Sequence, residues 1–310
     1  MSRPREPDQG SGNPRAAGYI IGAALLWGTN GTAQALGPDG ASAIAVGAAR
    51  TVVGAVVLVG IAAARGRLRI GASALARRPL LLAAGATASY QLCFFGGARL
   101  AGVAIGTVVG IGSGPVWGGL LGWVGRGERP SGRWSIATGL ALAGATLLAT
   151  STSGGGDRVD PLGIALALGA GLSYAAFALW SKDLTDNSDP DLVMTWVFLL
   201  SGVALLPLGL AAGVGPLLTL GGVAMSIWLG AVSLAAAYLL FGRGIAGVTV
   251  ATATTLSLTE PLTAATLGIL VLDERLSLAA AGGMALVFAG LAALAASGLP
   301  KRGRAVPLDL

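Results

Sequence analysis

The amino-acid sequence predicts an all-α integral membrane protein, with ten transmembrane helices in two inverted five-helix repeats. Three observations lead there. Of the residues, 54% are hydrophobic and only 11% charged, and the mean hydropathy is +0.76; a soluble domain carries about 25% charged residues. Apolar stretches of about 20 residues, enough to cross ~30 Å of hydrocarbon, recur along the chain. The chain also repeats itself at a fixed offset.

Taken in order, residues 1–16 are polar and rich in Pro and Gly, and are expected to form a disordered segment. They do not read as a signal peptide, because no short apolar region with a cleavage site precedes the first full span. Ten spans follow, at about 17–36, 42–64, 79–98, 102–124, 133–150, 161–181, 191–212, 222–242, 247–271 and 277–297. The linkers Gly37 to Ala41 and Arg99 to Ala101 are so short that their neighbours must run antiparallel. The expected organisation is a first repeat over 17–152, a second over 160–298, and a basic tail over 299–310.

Lys and Arg in the loops set the orientation. With the N-terminus inside, sixteen of the twenty basic residues fall on the cytoplasmic side, and Arg99, Arg158 and Arg275 fall outside. Arg50, within the second span, is the twentieth. Both termini are then cytoplasmic and the chain is a multi-pass protein of the plasma (inner) membrane. The acidic run Asp183, Asp186, Asp189 and Asp191 sits oddly on that side, but acidic residues contribute little to the rule. The pI of 10.2 therefore reflects sorting across a bilayer, and no nucleic-acid partner is expected.

A shift of 146 residues lays Phe95-Gly96 on Phe241-Gly242, Pro115 on Pro261, Gly122 on Gly268, Glu128-Arg129 on Glu274-Arg275, and Gly144 on Gly290. Five spans per copy is an odd number, so the second copy sits upside down relative to the first. Inverted repeats of this kind place a binding site near the midplane, where the copies meet. The 51 glycines suit this class, because small residues let helices approach closely in lipid. In the fourth span Gly102, Gly106, Gly110, Gly114, Gly118 and Gly122 recur every fourth residue. The stripe is a packing groove, a cavity wall, or both at different depths.

Several chemistries are excluded. There is no histidine and only one cysteine, Cys93. An internal disulfide, a Cys-based metal site and the commonest proton shuttle are therefore absent, and no metal or cofactor is expected. No GxxxxGK[ST] motif occurs, so ATP is not the direct drive.

The charged and polar residues inside the spans are the candidate site. Glu260 stands near the middle of the ninth span, directly before Pro261. A bare carboxylate in hydrocarbon costs several kcal/mol and marks a partner or a wet cavity. Pro261 removes a backbone donor and is expected to kink the helix there, as Pro115 is in the fourth span. Thr259 lies beside Glu260. Arg50 is about eight residues inside the second span, roughly 12 Å deep, and reads as a counter-ion for Glu260 or a dock for a substrate carboxylate. Gln91 is a polar group inside the third span and needs a partner. Trp27, Tyr90, Trp117, Tyr174, Trp180, Trp196 and Tyr238 could line a cavity or simply pack. Trp27 and Tyr174 are preferred because they occupy corresponding places in the first helices of the two copies.

Ala24-Leu25-Leu26-Trp27-Gly28-Thr29, Ala49-Arg50-Thr51, the run from Pro115 to Arg129, Glu260-Pro261 and Asp273-Glu274-Arg275-Leu276-Ser277 together resemble the drug/metabolite transporter superfamily, EamA-type branch. The resemblance covers nearly the whole chain. It implies ten helices in two inverted halves, a central substrate cavity, and transport of small metabolites, commonly outward. The glycine-rich 112–115 departs from the usual pattern. The expected function is secondary active transport of an amino-acid-like or other small organic solute by alternating access, with export favoured and protons as the candidate coupling ion. A passive pore, a non-transporting scaffold and an intramembrane enzyme are the alternatives. An enzyme is disfavoured because one Glu without a His is a poor start for catalysis. The expected partners are a small-molecule substrate, the lipid bilayer and protons, with a homodimer as a candidate assembly.

Overall fold

A computed structural model describes residues 13–68, 78–101, 103–151, 160–272 and 278–297. Its helices are α1a (Pro14–Trp27) and α1b (Thr29–Ala35), α2 (Ala43–Ala64), α3 (Arg78–Ala101), α4 (Val103–Arg126), α5 (Gly132–Ser151), α6 (Pro161–Thr185) and α7 (Pro190–Ala211). A 3-10 turn (Gly215–Leu218) precedes α8, which runs Leu220–Ile227, continues as a π-helix over Trp228–Ala236, and ends as Ala237–Ile245. Then come α9a (Val250–Leu256), α9b (Thr259–Val271) and α10 (Leu278–Ser297).

The starts of these helices are written locally. Asn13, Asp160 and Asp189 each stand before a proline and accept from a backbone N–H two residues on. Ser42, Thr219 and Thr249 accept from the third. Such side chains satisfy orphan donors, and proline at the first helical position loses no bond. Four boundaries differ from expectation. The first helix begins at Pro14, inside the segment expected to be disordered, and breaks at Gly28. Residues 99–101 belong to α3 and form no linker. The eighth span carries a π-helix, and the ninth is two helices.

Among the described residues, Ala43–Ala64, Arg78–Gly97, Pro161–Thr185, Pro190–Ala211 and Leu220–Ile245 are each long and apolar enough to cross a membrane. The helices pack as a pseudo-two-fold requires. α2 lies on α7 and α5 on α10, each against its own counterpart, while α3 packs on α6 as α8 does on α1. Glycine contacts follow the 146-residue offset closely. A Cβ at Gly144 would meet Gly283 O at 2.5 Å and Val287 N at 2.6 Å; one at Gly290 would meet Ala137 O at 2.6 Å and Ala141 N at 2.7 Å. Gly163 likewise abuts Ala101, and Gly247 abuts Ala16. These contacts are the close approaches that lipid-embedded helices need small residues to make.

Every ion pair among the described residues lies on the face that carries the α2–α3, α4–α5, α6–α7 and α8–α9 turns. Asp191 holds Arg65 at 2.8 Å and Arg243 at 2.7 Å, and Arg67 meets Asp189 at 2.8 Å. Arg126 joins Glu128 at 3.0 Å, Asp186 at 2.6 Å, and Asp183. The acidic run that sat oddly among basic loops is therefore their counter-charge.

Candidate functional site

The site is built from two interrupted helices. In α1, Gly28 offers no side chain to pack, and Thr29 and Asn30 bring polar groups that compete for the backbone. The Thr29 hydroxyl donates to Leu26 O at 2.7 Å. In α9, Pro261 has no N–H with which to reach Ser257 O. That carbonyl accepts instead from Glu260 N at 2.9 Å. The Thr259 hydroxyl donates to Leu256 O at 2.8 Å, and Ser257 Oγ to Ala253 O at 2.9 Å. Hydroxyls thus satisfy carbonyls that water cannot reach inside a membrane. Pro261 lies in the first turn of α9b, where its missing donor is harmless, so the expected kink is a full break. Thr259 is buried at that break, its hydroxyl committed to Leu256 O.

The two breaks touch. A Cβ at Gly28 would sit 2.9 Å from Glu260 O and against Thr263. Around them the structure gathers the expected aromatic residues. The Trp27 and Tyr174 rings meet edge-on at 6.3 Å across the pseudo-two-fold, and Tyr238 lies 5.0 Å from Trp27. Tyr90 is 6.3 Å from Tyr174, whose hydroxyl is 2.6 Å from Ser257 Oγ. On the other side, α1b is tied to the π segment of α8: Trp228 Nε1 donates to Thr29 Oγ1 at 3.1 Å, and Ser233 Oγ donates to Asn30 Oδ1. Single π turns are frequent at functional sites.

Arg50 shares one face of α2 with Gly47 and Gly54, three residues before and four after it. Gly47 approaches Phe95 and Gln91 of α3, and Gly54 approaches Gly230 and Leu234 of α8. Arg50 therefore enters the crevice between α3 and α8, where Tyr90 and Tyr238 stand. Its Nε, like the Nε1 of Trp27, is buried without a protein hydrogen-bond partner. Glu260 is half-buried. The charges of Arg50 and Glu260 interact, and Tyr90 and Tyr238 feel both, yet the two side chains form no ion pair within 4.0 Å. The expected direct counter-ion contact is not made. Gln91 is buried beside Gly47 and faces α2.

From Gly110 to Gly122 the glycine stripe packs on neighbouring helices. Gly110 faces Ala167 O and Gly114 the Tyr174 ring, both of α6; Gly118 and Gly122 face Thr254 and Val250 of α9a. Gly106 is buried, and Gly102 lies outside the described residues. α4 runs unbroken through Pro115. An apolar groove of about 380 Å³ lies between α4 and α5 beside Trp123 and Trp134. It is lined by no ionisable residue, so the charge chemistry is at the breaks.

Sequence reasoning missed Asn30, Ser233, Trp228 and Ser257. The polar pair Thr29-Asn30 inside an apolar span, and the hydroxyl run from Thr252 to Thr259, were the available signals.

Interrupted helices meeting at mid-span between inverted repeats define a membrane transporter. The chain belongs to the EamA-like transporter family, whose profile matches residues 14–150 and again 161–296. It is 39% identical over 280 residues to the uncharacterized transporter YwfM of Bacillus subtilis (strain 168), covering 90% of this chain and 93% of that protein. An uncharacterized transporter of Archaeoglobus fulgidus is 32% identical over 165 residues, 53% of this chain and 57% of that protein. A solved crystal structure superposes with a TM-score of 0.78 over 91% of this chain and 96% of the other, at 19% identity, and shares the fold.

Proposed function

We propose that this chain is a secondary active transporter that exports a small organic solute by alternating access, with Glu260 as its proton-coupling carboxylate. The observation that carries this reading is the meeting of the α1 and α9 breaks at Gly28 and Glu260. A rocking motion of one half against the other would be felt first at that contact. Glu260 is half-buried in a mid-span site, is not locked to Arg50, and its charge is felt at Tyr90, Tyr174 and Tyr238. Its charge is therefore free to change during a cycle. The sorting of Lys and Arg supports cytoplasmic termini and residence in the inner membrane.

The test is flux in proteoliposomes carrying an imposed pH gradient, with labelled amino acids, nucleobases and cationic dyes as solutes. The wild-type chain should accumulate one of them against its gradient. Glu260→Gln keeps the shape but cannot titrate; it should retain solute exchange and lose pH-driven accumulation. An unchanged pH profile in that variant, at normal expression, sinks the coupling role. Flux that never saturates and never accumulates would indicate a pore.

A further inference from the structure

The groove between α4 and α5 takes no part in the site at the breaks. Its walls run from Val116 to Trp123 on α4 and from Ser135 to Leu142 on α5, each about 10 Å long at ~1.5 Å per residue. The two helices are antiparallel, so Trp123 and Ser135 stand at its mouth, beside the α4–α5 turn. Val116 and Leu142 stand at its inner end. Side chains that could fill the gap are missing or held back. Gly139 has nothing within 4 Å of its Cβ position. The Trp134 ring lies on Gly119, whose Cβ would sit 2.6 Å from it, and its Nε1 donates to Ala251 O at 3.1 Å and Thr255 Oγ1 at 3.0 Å. The Thr138 hydroxyl is likewise 3.0 Å from Thr255 Oγ1. These ties to α9a leave a preformed groove of about 380 Å³, with Val116, Leu120 and Trp123 exposed along one wall.

Cations flank the mouth. Arg129 adjoins Pro130, Arg133 adjoins Trp134, and both are exposed. On the same face Arg65, Arg67, Arg126 and Arg243 each hold a carboxylate. Arg129 and Arg133 hold none among the described residues. Neighbouring Glu128 is already committed to Arg126 and to Val250 N. An apolar groove with two unanswered guanidiniums at its polar end matches a membrane lipid lengthwise, hydrocarbon inside and phosphate outside. The guanidinium fork takes two phosphate oxygens at once, and basic pockets between transmembrane helices bind anionic head groups. A second copy of the chain fits less well. An isologous contact through this face would bring the same arginines together at one depth in the bilayer, cation against cation. We infer that the α4–α5 groove binds an anionic glycerophospholipid, with one acyl chain between the two helices and its phosphate held by Arg129 and Arg133. The site stands apart from the breaks and from whatever solute the chain moves.

The test is native mass spectrometry of the full-length chain in detergent, titrated with phosphatidylglycerol and with phosphatidylcholine carrying the same acyl chains. A single phosphatidylglycerol should bind roughly 30-fold more tightly than phosphatidylcholine, the factor that two arginines supply near a bilayer surface. Arg129→Gln combined with Arg133→Gln should remove that preference without moving the lipid-free unfolding midpoint, since neither side chain is paired. Arg15→Gln takes an exposed, unpaired guanidinium from the start of α1 and should leave the preference intact. Gly139→Leu fills the groove and should weaken both lipids alike. Two results on the wild-type chain overturn the proposal whether or not any variant folds. Equal affinity for the two lipids would leave only ordinary lipid contact. Displacement of phosphatidylglycerol by equal concentrations of glycerophosphoglycerol or inorganic phosphate would leave only an anion site. A preference that survives the loss of both arginines also overturns it. So does a dimer that Gly139→Leu splits while phosphatidylglycerol binding is unchanged, because the groove would then be an interface between copies.

Discussion

Gly28→Ala tests the contact on which the site depends. The added methyl would lie 2.9 Å from Glu260 O and against the side chain of Thr263. Neither neighbour can swing away. The carbonyl belongs to the first turn of α9b, and the Thr263 hydroxyl is held on Thr259 O at 3.0 Å. Overpacking of this kind costs about 1–3 kcal/mol. Backbone conformation is not the obstacle, since Gly28 has an ordinary helical φ of −58°. Gly60 of α2 provides the control, because nothing lies within 4 Å of its Cβ position. Gly→Ala in an open helical position is worth about 0.5–1 kcal/mol in the stabilising direction. The two variants should therefore differ by about 1.5–4 kcal/mol in detergent unfolding. Solute flux should fall in Gly28→Ala and persist in Gly60→Ala. Equal stability and equal flux in the two would refute the claim that the breaks of α1 and α9 bear on one another.

Two further outcomes follow from packing and charge. Gly114→Leu should destabilise the fold by about 3 kcal/mol, because a Cβ already lies 3.3 Å from the Tyr174 ring, while Gly139→Leu, with open space at its Cβ, should be tolerated; equal yields of folded protein would show that the stripe does not pack on α6. Arg126→Gln should lower stability by about 1–2 kcal/mol, less at high salt, because Asp183, Asp186 and Glu128 lose their shared cation; a salt-independent, unchanged unfolding midpoint would show that the network holds nothing.

The span count, the repeat and the corresponding places of Trp27 and Tyr174 were legible because each is a matter of period or position. Mean hydropathy locates a span whether or not its helix is continuous, and that is why the breaks were invisible. The break in α9 depends on the Ser257 and Thr259 hydroxyls and the Glu260 amide bonding locally, a balance that a smooth apolar profile does not record. The tie between Asn30 and Ser233 joins residues 203 apart, and no local pattern announces it. The reach of α3 to Ala101 has a similar cause. A short linker by composition can still be helix when its neighbours pack tightly, as Gly163 does on Ala101. Pro115 and Pro261 match at the repeat offset, yet one lies inside a continuous helix and the other opens a new one. The difference lies beside Pro261, in the hydroxyls of Ser257 and Thr259, which no residue of the glycine-rich 112–115 supplies in the same places except Ser113.

That asymmetry bears on how such a chain can work. The pairs α2–α7 and α5–α10 each join an element to its own counterpart, the latter with matching glycine contacts from each side, and form a symmetric frame. The irregular elements all fall outside it. α1 is broken and its counterpart α6 is not; α9 is broken and α4 is not; α8 carries a π segment and α3 does not. The three irregular helices are also the ones that touch at Gly28, Asn30 and Ser233. Within α9 the break separates two environments. Residues 253–259 are buried and 260–267 are half-buried. The buried half is also the one fastened at its start, where Glu128 Oε2 accepts from Val250 N at 2.9 Å while its other oxygen holds Arg126. A helix fastened at one end and loosely packed past its break moves most easily beyond that break. Glu260 is the second residue past it, on the less buried side, while α9a packs on α4 and α6.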